Sequence, residues 1–73
     1  MKTPTLGALI RATRTDLDIG LPELSRRTGL DDAYLFRVEA GKTKAPSWWT
    51  IRAIARALGV STAAFEVAEK IPE

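Results

Sequence analysis

The 73-residue chain predicts an all-α fold of five short helices in a single domain spanning residues 1–73. Two observations carry that prediction. Apolar residues recur three and four positions apart almost throughout, with no run of strand-like alternation and no internal repeat. Glycines and small capping residues punctuate this pattern at helix-sized intervals.

The first helix is expected to start near Pro4 or Thr5, with Thr3 as N-cap, and to run to about Asp16. Leu6, Leu9, Ile10 and Thr13 form its inward stripe. A connector through Gly20 leads to a second helix over Leu21–Thr28, in which Gly20 caps, Pro22 is tolerated in the first turn, Glu23 suits the positive helix start and Leu24 points inward. Gly29 supplies the left-handed residue that ends this helix, and Leu30 buries the turn. The third helix runs from about Asp32 to Ala40, capped by Asp31, with Leu35 and Val38 inward and Gly41 as its stop.

A loop carrying Lys42 and Lys44 closes at Pro46, and Ser47 caps a fourth helix whose inward face is Trp48, Ile51, Ile54, Ala55 and Leu58. Neighbouring helical residues diverge by about 100°, so Trp48 and Trp49 cannot both enter one core. Trp48 is expected inside. Trp49 shares a face with Arg52 and Arg56 and is a candidate exposed anchor for a partner subunit or a DNA backbone. Gly59 ends this helix and Ser61 caps a fifth, with Phe65 as core anchor and Pro72 marking the end. Ala64, Val67, Ala68 and Ile71 form a second small apolar stripe there, suited to packing on the first helix or to a dimer contact.

Composition removes most enzyme classes. The sequence has no cysteine and no histidine, which excludes disulfides, thiolate chemistry, the usual zinc sets and the usual histidine acid/base route. No glycine-rich phosphate loop appears, and 73 residues leave no room for a large buried active site. The expectation is a non-enzyme with no cofactor, no metal and no small-molecule ligand. Arg11 and Arg14 interrupt the N-terminal apolar residues before a signal segment could form, and nothing approaches a membrane span, so a cytoplasmic protein is expected. Residues 66–73 carry three glutamates against Lys70, leaving ten basic and six acidic side chains in the first 65 residues. That balance suits a polyanion partner and equally an ordinary solvated surface.

The runs LGALIRATR, LSRRTGL, LFRVEAGK and IRAIARALGVS, in this order and near this spacing, resemble the phage repressor and Cro proteins, the XRE-type helix-turn-helix regulators. The resemblance covers about residues 5–66, with 67–73 as helix end and tail. It implies a compact five-helix lambda-repressor-like DNA-binding domain with the helix-turn-helix at helices 2 and 3. It further implies a prokaryotic or phage-encoded, nucleoid-associated regulator that binds double-stranded DNA as a homodimer on an inverted repeat, probing two major grooves about 34 Å apart. Arg14 and Glu39 stand where the family often places a partly buried ion pair.

The start of the third helix enters the major groove in that family, and the matching residues here are Asp32, Ala33 and Arg37. Arg37 can donate two parallel hydrogen bonds to guanine, Asp32 can accept from cytosine N4, and Ala33 can touch a thymine methyl. Each also has a plainer reading, Arg37 as a solvated side chain and Asp31 with Asp32 as stabilisers of a helix start. Tyr34 and Phe36 flank these positions and suit either packing or DNA contact. Backbone contacts fall to Arg11, Arg26, Lys42 and Lys44, because the family's glutamine opening helix 2 is Leu21 here and its polar residue before the helix-3 glycine is Ala40. Those two departures, with Asp31, Asp32, Phe36 and Trp49, keep a second expectation open: a helix-turn-helix frame reused as a protein-binding adaptor, antirepressor or antitoxin-like.

Overall fold

A computed structural model describes residues 5–43 and 46–65, and one apolar side chain from each of four helices meets at its centre. The helices are α1 (Leu6–Asp16), α2 (Leu21–Thr28), α3 (Asp32–Glu39) and α4 (Trp48–Leu58), followed by a 3-10 turn over Thr62–Phe65. Ile10, Leu24, Leu35 and Ile54 are the fully buried quartet, and Val38, Ala55, Leu58 and Phe65 complete the core. Fully burying an aliphatic side chain of this size contributes about 1.5–3 kcal/mol. Half-buried Leu6, Leu9, Leu30, Ile51 and Val60 pack around it.

Among the described residues, four of the five expected α-helices form, and the start of the expected fifth is this short turn. Ser61 does cap the turn, its hydroxyl accepting from the Ala63 amide at 3.0 Å. The remainder of the expected fifth helix, with Val67, Ala68 and Ile71, lies outside the described residues, as do Thr3, Pro4 and Lys44. The cap of α1 is Thr5, two residues later than expected. Its hydroxyl accepts from the Ala8 amide at 3.1 Å, which sets Leu6 as the first helical residue.

Three helices end in the same way. After α1, α3 and α4, a residue with positive φ, Asp18, Gly41 or Gly59, reverses the chain, and the following amide reaches back to a carbonyl five residues earlier. Asp18 is the non-glycine among them, at φ 62°.

Trp48 contradicts the expected burial, being 58% exposed. The buried seam of α4 runs through Thr50, Ile54, Ala55 and Leu58, and Trp48 in the first turn lies about 90° away from its centre. Thr50 takes the inward place instead. Its hydroxyl lies 3.4 Å from the Tyr34 hydroxyl and 3.2 Å from that of Ser47, so the start of α4 is fastened to α3 by a small polar cluster.

α1 and α3 touch backbone to backbone at Gly7. A methyl group at this buried position would overlap the carbonyl oxygens of Val38 and Glu39. Glycine here sets the spacing at which α3 is held against α1.

Candidate nucleic-acid interface

α2 and α3 are joined by a three-residue turn, residues 29–31, that is locked by side chains as well as by Gly29 at φ 76°. The Ser25 hydroxyl donates to the Leu30 carbonyl at 2.5 Å. The Thr28 hydroxyl donates to the Leu24 carbonyl at 2.8 Å and accepts from the Leu30 amide at 3.1 Å. With Leu30 fixed, Asp31 begins α3, its carboxylate accepting from the Ala33 amide at 3.1 Å. One of the two aspartates at this helix start is therefore engaged as a cap, where the partial positive charge of the helix end favours it.

On α3, Leu35 and Val38 face the core, so the outward direction passes between Ala33 and Ala40. Arg37 lies on one flank of that outward face, the side of half-buried Tyr34. Asp32 and Phe36 lie on the other, the side of Glu39. Asp32, Ala33, Phe36, Arg37 and Ala40 are all exposed. The helix thus presents a short polar and apolar strip, with the arginine one turn beyond Ala33.

Lys42 is placed by the end of α3. Its amide donates to the Arg37 carbonyl at 2.9 Å while Gly41 at φ 72° turns the chain, so the exposed lysine directly follows the outward face. Arg26 is 72% exposed on α2 and makes an ion pair with Glu23. Glu23 also takes Arg27, whose Nε lies 2.8 Å from Oε2 and whose Nη1 donates to the Ala57 carbonyl of α4 at 3.0 Å. Arg26 is thereby partly neutralised within its own helix.

Arg11, Leu21, Phe36 and Ala40 meet in one open cleft of about 300 Å³ between α1, α2 and α3, with Arg14 and Glu39 at its floor. Both departures from the family pattern, Leu21 and Ala40, fall together there, against a Phe36 ring that is 59% exposed. Below them Arg14 Nε donates to Glu39 Oε2 at 2.7 Å and Nη2 to Oε1 at 2.9 Å, with side chains only 11% and 6% exposed.

Trp49 is 76% exposed and lines a second shallow cleft with Arg52, Ala53 and Arg56 on the side of α4 away from the core. Ala64 is exposed on the 3-10 turn. The sequence reading missed Ser25, Thr28, Thr50 and Gly7. The first two carry a signal in retrospect, since a hydroxyl four residues before a helix-ending glycine and another immediately before it are well placed to hold the turn.

Among the described residues, no group of three or more metal-ligating side chains gathers, and no helix is long and apolar enough to cross a membrane.

Two short helices across a locked turn, with the second exposed along its outer face, define a helix-turn-helix domain. A family model described as a helix-turn-helix domain matches residues 5–68. The chain belongs to that helix-turn-helix family, in its XRE or phage-repressor type. Among solved structures it is similar to the restriction-modification controller protein C.AhdI from Aeromonas hydrophila, at 28% identity over 82% of this chain and 89% of that one, with a TM-score of 0.78. It is 31% identical to the clp gene regulator ClgR from C. glutamicum, covering 85% of this chain and 79% of that one, with a TM-score of 0.77. The DNA-binding domain of the P22 c2 repressor shares the fold, at 24% identity and a TM-score of 0.82 over 97% of this chain and 96% of that one. Among curated proteins no relative matches. The fold is that of DNA-binding transcription regulators.

Proposed function

We propose that this chain is a sequence-specific regulator of transcription that binds double-stranded DNA as a homodimer on a short inverted repeat, repressing by occluding polymerase. It would act on the nucleoid in the cytoplasm. The observation that carries this reading is the exposed outer face of α3, with Ala33 and Arg37 outward and Lys42 fixed directly after it by the Gly41 turn. Arg37 reads a guanine edge, Asp32 and Ala33 contact neighbouring bases, and Lys42 with Arg11 holds phosphates, with Lys44 and Arg26 as further backbone contacts. Trp49 and Ala64 are candidate dimer contacts, together with Val67, Ala68 and Ile71.

Selection of bound fragments from random duplexes tests it, followed by a salt titration on the recovered site. A palindrome is expected, and a dimer that neutralises about six phosphates should show log K falling against log salt with a slope near −5. Failure to recover any fragment would leave the second reading, a protein-binding adaptor. That reading is favoured by the apolar grouping of Leu21, Phe36 and Ala40 where phosphate donors would otherwise stand.

A further inference from the structure

At the C-terminal end of α1, Asp16, Leu17 and Asp18 form a projecting knob, a leucine that is 46% exposed between two exposed carboxylates. The knob has a fixed shape. Asp18 turns the chain at φ 62°, the Ile19 amide donates to the Arg14 carbonyl at 3.0 Å, and the Arg14 guanidinium donates to the Ile19 carbonyl at 2.9 Å. The outer face of α4 has the opposite character: Trp49, Arg52 and Arg56 surround the small Ala53, which leaves an open depression beside the indole ring. α4 has no acidic residue of its own. Among the described residues, neither of these arginines and neither of these aspartates is in an ion pair. One element thus displays a leucine between two anions, and another an aromatic depression between two cations.

We propose that the Asp16, Leu17 and Asp18 knob of one copy of this chain seats on the Trp49, Arg52, Ala53 and Arg56 cleft of a second copy. Leu17 covers the indole ring and the Ala53 methyl, and the two carboxylates meet the guanidiniums of Arg52 and Arg56, which stand one helical turn apart. The knob is held by its turn and the cleft by its helix, so little ordering cost opposes the contact. A cleft facing the same cleft of another copy would instead set arginine against arginine. The inference rests on the homodimer reading above and names the surface that meets Trp49. The contact is small, so assembly is expected to be weak in free solution and to weaken further with salt.

The test is sedimentation equilibrium of the full chain in free solution, at concentrations up to the millimolar range. The wild-type mass is expected to rise with concentration and to fall back at high salt. One variant reverses the knob, combining Asp16→Lys with Asp18→Asn, because asparagine tolerates the left-handed conformation. The other reverses the cleft, combining Arg52→Glu with Arg56→Glu. All four positions are exposed, so both variants should melt near the wild type. Each variant alone should assemble about a hundredfold more weakly, because like charges then face each other. Mixed in equal amounts, the two should assemble again, since the reversed knob suits the reversed cleft and the native knob of one suits the native cleft of the other. Variants that assemble like the wild type, or a mixture that stays monomeric, overturn the inference and leave the homodimer reading in place. A wild-type protein that stays monomeric in free solution also overturns it, and the homodimer reading falls with it if only one copy sediments with the duplex recovered by selection.

Discussion

Arg14 grips the Glu39 carboxylate through two hydrogen bonds, at 2.7 and 2.9 Å, while its third nitrogen donates to the Ile19 carbonyl at 2.9 Å. One side chain of α1 therefore fixes both the end of α3 and the connector that leads into α2. The hydrogen bonding to Glu39 raises the guanidinium above its already high ordinary pKa; burial opposes this and the Coulombic attraction adds to it. The helix that presents Arg37 and Phe36 is held at its C-terminal end by a nearly buried ion pair.

Breaking this pair from one side strands the other charge, so Arg14→Ala should lower stability by about 3–5 kcal/mol in urea unfolding. Replacing both partners by methionine removes the stranded charge and should recover most of that loss. A single Arg14→Ala variant that melts with the wild type would refute the assignment. Because the folded-state pKa of Arg14 is raised, its contribution is fully present below the unfolded value and is lost only as pH climbs through the higher folded value. Arg14 therefore adds no pH dependence near neutrality.

Gly7→Ala should destabilise the domain, although alanine is the better helix former. The added methyl meets main-chain oxygens of Val38 and Glu39, which cannot move without displacing α3. A cost of about 1–3 kcal/mol is expected from this overpacking, read as a lowered denaturant midpoint. Ala8→Gly, on the exposed side of the same turn, should cost about 1 kcal/mol by propensity alone.

Asp18 holds a left-handed conformation that glycine takes in the equivalent place after α3 and α4. Asp18→Gly should relieve that strain and raise stability by up to about 1 kcal/mol, whereas Asp18→Val should lower it. Thermal melts of the two variants moving in the same direction would contradict this.

The frame of the domain was legible because its signals are local. Gly20, Gly29, Asp31, Gly41, Ser47 and Gly59 each act within a few residues, and the structure puts the helix boundaries beside them. Trp48 was misplaced because helical spacing gives a face but not its width, and a first-turn residue at the edge of that face escapes the core. Gly7 was invisible for the opposite reason: a close approach of two backbones leaves no mark in a one-dimensional pattern. The same limit applied to the candidate site. Arg11 and Leu21 are far in sequence from Phe36 and Ala40 and could be named singly, and only the packing of α1, α2 and α3 brings them into one cleft.

On the proposed DNA-binding reading, Arg37 and Lys42 separate base reading from phosphate holding. Arg37 lies on the outward face of α3, where a guanidinium can meet O6 and N7 of one guanine. Arg37→Ala is therefore expected to cost about 1–3 kcal/mol on the preferred site and to relax the preference at one base position. Lys42 follows the helix end and has only a point charge to offer. Lys42→Ala should weaken binding by a similar factor on every sequence and make the salt dependence shallower by about one unit. Binding isotherms of both variants on the preferred and a scrambled duplex, each at several salt concentrations, distinguish the two roles. If Arg37→Ala weakens both duplexes equally and Lys42→Ala relaxes a base preference, the assignments are reversed and Lys42 is the reading residue.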